Sequence, residues 1–154
     1  MRRLVALVAV AGSVGCATVE PGEDFSIAEV VYDEGYFYCR VEPVLFARRC
    51  GAGDPSAGDP AGGCHYAVTA YRLTEYGPPL VADGCGGGVV PRTPITPEAQ
   101  KNYQASQVEM QRDPELADLL RRPVGSALHP RQLFSADSPE ADLIREWATR
   151  FSTQ

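Results

Sequence analysis

The chain has 154 residues, with 14 basic against 20 acidic side chains and a net charge of −6, which leaves room for one domain and little more. At 44% hydrophobic and 22% charged it has the make-up of a globular protein, and its 15 glycines and 13 prolines predict long loops around a modest core. An acidic chain with one lysine, Lys101, has no electrostatic footprint for nucleic acid, and that class of partner is excluded.

Met1-Arg2-Arg3 is a positively charged start, and Leu4 to Ala11 is an unbroken apolar run of eight residues. Eight helical residues span about 12 Å against the roughly 30 Å of bilayer hydrocarbon, so the run reads as a signal segment and not a membrane span. It ends in Ser13-Val14-Gly15-Cys16, which resembles the lipobox of bacterial lipoproteins. That resemblance implies cleavage before Cys16, lipidation of its thiol and stable tethering to a membrane. Ala17, where inner-membrane retention would favour Asp, points to the outer membrane, on its periplasmic or surface side. The alternative is an ordinary cleaved secretory signal. The expected organisation is a signal peptide over 1–15, a tether over 16–30 and one domain over 31–154.

Within the domain, Phe37, Val41, Val44 and Leu45 recur at helical spacing over 33–49, with Pro43 as an obstacle. The proline either kinks this helix or lies in the first turn of a shorter one. Residues 51–63, GAGDPSAGDPAGG, carry AGDP twice and no apolar face, which predicts a mobile loop. Tyr66 to Tyr76 alternates weakly, as a strand would, and 77–97 is a Pro/Gly stretch centred on Gly84-Cys85-Gly86. Thr96-Pro97-Glu98, Asp113-Pro114-Glu115 and Ser138-Pro139-Glu140 each place a cap residue, a proline and an acid in the order that starts a helix. The second of these helices carries Leu116, Leu119 and Leu120. The last carries Leu143, Ile144, Trp147 and Phe151, a stripe whose natural partner is the Phe37/Val41/Val44/Leu45 face. The fold expected is mostly α, a small helical domain with long Gly/Pro-rich loops.

Besides Cys16 there are four cysteines, Cys39, Cys50, Cys64 and Cys85, and Cys64 is followed directly by His65, one of two histidines. A Cys-His pair is the second half of a c-type haem attachment site, in which a thioether-forming thiol places the next imidazole under the iron. Around it stand Val41-Glu42-Pro43-Val44-Leu45, then Cys50, then Cys64-His65. Downstream follow Leu119-Leu120-Arg121-Arg122-Pro123, a loop with His129-Pro130, and a terminal segment ending in Trp147. In this order the pieces resemble a family of bacterial c-type cytochrome-like lipoproteins, over about Tyr36 to Trp147. The resemblance implies a cytochrome c-like domain, covalent haem c on Cys50 and Cys64, and His65 as the proximal iron ligand. It further implies His129 as a distal ligand, with Met110 as runner-up, and helices over 33–49 and 139–151 that cross to wall the haem. The activity implied is electron transfer with a redox protein partner, without substrate chemistry.

The family keeps its two haem cysteines a few residues apart, whereas thirteen residues separate Cys50 from Cys64 here. Lengthening such a loop from two residues to thirteen costs about 1.7 kcal/mol of closure entropy, which an irreversible thioether tolerates. Cys39 and Cys85 are then the remaining pair for a disulfide. The alternative is a haemless lipoprotein with a structural or protein-binding role, in which Cys50 and Cys64 pair with each other. The cysteine spacings match no compact zinc pattern, and no Gly-x-Ser-x-Gly or His-Glu-x-x-His motif supports a hydrolase.

Overall fold

The computed structural model describes residues 29–59, 63–74, 76, 85, 91 and 94–153. The expected signal segment, Cys16, most of the tether and the glycines around Cys85 lie outside the described residues. The domain is mostly α. Its elements are β1 (Val30–Tyr32), a long N-terminal helix, α3 (Pro97–Val108), the short α4 (Asp118–Arg121), α5 (Pro139–Thr149) and β2 (Phe151–Thr153). The N-terminal helix starts as α1 (Glu34–Tyr36), widens into a π-helical segment over Phe37–Val41 and returns to α geometry as α2 (Glu42–Ala47). No helix among the described residues is long and apolar enough to cross a membrane.

Pro43 explains the widening. Its ring would meet the carbonyl of the preceding turn in an unbroken α-helix, and it donates no hydrogen bond. The chain makes the turn just before it with i−5 bonding, Glu42 N–H to the Phe37 carbonyl, so the proline falls in the first turn of α2 and the helix runs on. Asp33 caps the start by accepting from the Tyr36 N–H at 2.9 Å.

Two of the three predicted helix starts open helices. Thr96 and Ser138 each accept from the N–H three residues on, of Ala99 and Ala141, both at 3.2 Å. Asp113-Pro114-Glu115 gives only a single 3₁₀ turn, Pro114–Leu116, with Leu116 exposed; α4 begins at Asp118 and buries Leu119 and Leu120. The expected strand over 66–76 is not formed. Cys64–Val68 makes a π-helical turn, and among the described residues nothing after it up to Tyr76 pairs as a strand.

α5 packs Ile144, Trp147 and Ala148 against the π-helical segment, as the stripe predicted. Trp147 stands 5.1 Å from Phe37 and 5.4 Å from Tyr32, ring centroid to ring centroid, and its Nε1–H donates to the Asp33 carbonyl at 2.8 Å. Phe151 departs from the expectation. The helix ends at Thr149, and Phe151 pairs opposite Tyr32 in the antiparallel β1–β2 ribbon that ties the two ends of the domain together. Cys39 is joined to Cys85 by a disulfide with Cα atoms 5.7 Å apart.

Candidate functional site

The loop between Cys50 and Cys64 is closed at its neck. The His65 N–H donates to the Cys50 carbonyl at 3.1 Å and the Tyr66 N–H to the Gly51 carbonyl at 3.2 Å. Two glycines make this approach possible. A Cβ on Gly51 would fall 1.9 Å from the Tyr66 ring, and Gly63, with φ +90°, turns the chain into the Cys64 helical turn. The thirteen-residue spacing therefore leaves Cys50 beside Cys64-His65 in space.

The described part of the loop, 51–59 and 63, also carries hydrogen bonds that its composition does not predict. Asp54 caps a 3₁₀ turn over Pro55–Ala57 by accepting from the Ser56 N–H, and the second aspartate of the AGDP repeat, Asp59, is buried. Its carboxylate accepts from the Asp54 N–H at 2.7 Å and from Arg131 Nε at 3.0 Å to each oxygen.

Cys50, Cys64, His65 and His129 line one cavity of about 300 Å³. Leu45 of α2, Leu119 of α4, Pro123 and Leu133 supply apolar wall, and the exposed Leu128 stands at its edge. A largely apolar cleft with a few convergent polar groups is the usual form of a cofactor site. α5 contributes nothing to this wall. It packs behind the π-helical segment, so the expectation that the terminal helix crosses the first to wall the site is corrected: the second wall is α4 and the loop over 122–133. Met110, the runner-up ligand, lies elsewhere. It is buried in the core and is not among the residues that line the cavity.

Both histidines present the same tautomer. His129 Nδ1 is 2.7 Å from the Arg131 carbonyl, which can only accept, so Nδ1 carries the proton. His65 Nδ1 is 2.7 Å from Thr69 Oγ1 and 3.2 Å from the Tyr71 carbonyl. The Thr69 hydroxyl spends its own proton on that carbonyl at 2.6 Å, so its oxygen accepts from His65 Nδ1–H. Each Nε2 is left with a lone pair and, among the described residues, no hydrogen-bond partner. Metal-ligating histidines are held this way, one ring nitrogen fixed by a carbonyl and the other free to coordinate. The two rings are 24° from parallel with centroids 6.2 Å apart.

The electrostatics agree with ligation and not with thiol catalysis. Burial lowers the His65 pKa and keeps the imidazole neutral, the form that coordinates. Burial pushes the Cys50 thiol up to about 12, and burial followed by the neighbouring Asp59 raises Cys64. Both are free thiols, and neither has the depressed pKa of a reactive cysteine. Among the described residues no three His, Cys, Asp or Glu side chains are grouped to hold a metal ion on their own. A porphyrin supplies four nitrogens itself and asks the protein for only one or two axial ligands.

Comparison with protein-family models, with curated protein sequences and with solved structures found no match to this chain. The site residues that sequence reasoning missed are Thr69, Tyr71, Asp59 and Arg131. The repeated AGDP marked Asp59 without saying which of the two aspartates would be buried, and nothing local to Arg131 points to a partner 72 residues away.

Proposed function

We propose that this chain is a membrane-tethered, extracytoplasmic c-type cytochrome-like protein. Cys50 and Cys64 would hold haem c by thioether bonds, and His65 and His129 would be its axial ligands. The observation that carries the reading is the convergence of two neutral thiols and two Nδ1-protonated imidazoles on one cavity, each imidazole with an unengaged Nε2. Bound haem would supply one-electron chemistry between its ferric and ferrous states.

The chain's own residues contribute position and environment. The Cys50–His65 and Gly51–Tyr66 backbone bonds keep both thiols beside the proximal imidazole. Thr69 Oγ1, itself held by the Tyr71 carbonyl, and the Arg131 carbonyl accept from the two Nδ1–H groups, orient the rings and would make each Nε2 a better donor to a bound iron. The apolar wall limits water around the site. Paired imidazoles would favour a lower reduction potential than imidazole with a thioether. The reading includes a lipid on Cys16, placement at the outer membrane and a redox protein partner, with no reaction on a substrate.

The test is to export the full chain in a host with haem-attachment machinery and to record its intact mass and absorption. The expected result is one haem added on the peptides carrying Cys50 and Cys64, and a Soret band that survives acid–acetone extraction. A colourless protein in which Cys50 is bonded to Cys64 would overturn the reading in favour of a haemless, disulfide-stabilised lipoprotein.

A further inference from the structure

The loop between the two cysteines and the loop that carries His129 are tied together, and the tie ends on the histidine itself. Asp59 belongs to the first loop, and its side chain is only 4% exposed. A Cβ built on Gly53 would meet Cys64 Sγ at 2.8 Å and Asp59 Cβ at 3.2 Å, so Asp59 lies against the cysteine that precedes His65. Across the site, Arg131 donates through Nε to both oxygens of that carboxylate, and the carbonyl of the same Arg131 receives His129 Nδ1–H. The rest of the His129 loop is anchored at its two ends. Ser126 and Ala127 bond back to the Arg121 carbonyl, Arg122 holds the Leu128 carbonyl, and the Leu133 N–H reaches the Pro123 carbonyl. Between those anchors, the Arg131 guanidinium is the described link from the His129 loop to the cysteine loop.

We infer that Asp59 and Arg131 are positioning residues that hold the His129 imidazole opposite His65, so that the long spacing between the cysteines carries the device that sets the second axial ligand. The Asp59 carboxylate is removed from bulk water and the Arg131 side chain is 26% exposed, and a charge-assisted pair with one buried partner and geometry this close fixes orientation better than a fully exposed one. Loss of the Asp59 charge leaves Arg131 without its anchor and frees the carbonyl that orients His129. The consequence for a bound iron rests on the haem reading above, whereas the consequence for the loop does not.

The experiment uses the exported full-length chain and compares wild type with Asp59→Asn, Asp54→Asn and His129→Ala. Asp54 is the sister aspartate of the AGDP repeat; its backbone bonds Asp59 but its side chain bonds only Ser56, so Asp54→Asn leaves the Asp54 N–H bond to Asp59 in place and reports any general effect of disturbing the loop. In haem-loaded protein, wild type and Asp54→Asn are expected to be low-spin. Asp59→Asn should shift towards the high-spin spectrum of His129→Ala and bind added imidazole at least tenfold more tightly than wild type. An Asp59→Asn/Arg131→Gln double variant, which restores a neutral hydrogen bond, should recover part of the low-spin signal.

An Asp59→Asn spectrum identical to wild type overturns the inference and leaves the haem reading intact. So does a wild type whose spectrum is unchanged by His129→Ala. If no haem is attached to wild type, the haem reading fails, and hydrogen exchange over 126–133 decides the tie by itself. Faster exchange there in Asp59→Asn but not in Asp54→Asn, with α5 unaffected, supports it; equal exchange overturns it.

Discussion

Glu42 is a carboxyl in the middle of the core, fully buried, with neutral partners: Asn102 Nδ2 donates to it at 2.9 Å, and so does the Tyr76 hydroxyl. Burial is the larger effect and the two hydrogen bonds oppose it, leaving the pKa raised to about 6. Between the unfolded value of about 4.3 and this folded one, the native state keeps a proton that the unfolded chain has released. The stabilisation is therefore fully present below the unfolded pKa and is lost as pH rises through about 6. The ionised carboxyl then costs on the order of 2 kcal/mol. Glu42→Gln removes that pH dependence. Urea unfolding of both proteins at pH 4.5 and pH 7 should show the variant gaining about 2 kcal/mol on wild type between the two. A constant difference would mean that Glu42 stays ionised when buried. Glu42 stands next to Pro43, and nothing in that sequence position announces it. Its neutral partners come from α3 and from Tyr76, and long-range partners leave no local trace. His65, by contrast, was singled out by its adjacency to Cys64, which a sequence records directly, and it lines the cavity.

At the scale of elements, the domain depends on the contact between α5 and the π-helical segment. Trp147 is fully buried among Tyr32, Phe37 and Tyr103. Trp147→Ala removes that ring and is expected to cost about 3–5 kcal/mol. Trp147→Phe keeps most of the aromatic packing and loses the Nε1–H bond to the Asp33 carbonyl, which still accepts from the Phe37 N–H at 3.1 Å. It should cost about 1–2 kcal/mol, a difference that denaturant unfolding resolves. This contact was readable from the 3.6-residue period of both partners, since each stripe needs burial and finds the other. The same reasoning misjudged Phe151, one residue past the cap, because a side chain's face depends on whether the helix continues. It also misread 66–76. The alternation there reflects Tyr66, Tyr71 and Tyr76 packing individually against the core, with no neighbouring strand among the described residues to complete a ladder.

For the whole molecule, the Cys39–Cys85 disulfide spans 46 residues and encloses the cysteine loop and the neck at Cys50–His65. In the chain-entropy view a closure of that length stabilises by about 4 kcal/mol, chiefly by restricting the unfolded chain. Cys39→Ser/Cys85→Ser should lose close to that amount in urea unfolding. The cavity's own ties run through Cys50, Gly51 and Asp59 and do not use this disulfide, so the exported variant should still acquire the haem mass expected of wild type. Loss of haem with the fold retained would show that the disulfide shapes the site directly.

By itself the sequence determined the helical class, two of the three capped helix starts and the pairing of the last helix with the first, and it singled out the cysteines and histidines on which the proposed haem site rests. These follow from local signals: hydrophobic period, cap residues before proline, and the Cys-His adjacency. Only the tertiary structure decided that thirteen intervening residues still leave Cys50 against His65, that Met110 belongs to the core while His129 faces the cavity, and that Asp59 reaches Arg131. The physical reason is common to all three. A loop's closure, the burial of one side chain rather than another and a partly buried ion pair are all set by groups brought together from distant parts of the chain, and local sequence carries no record of them.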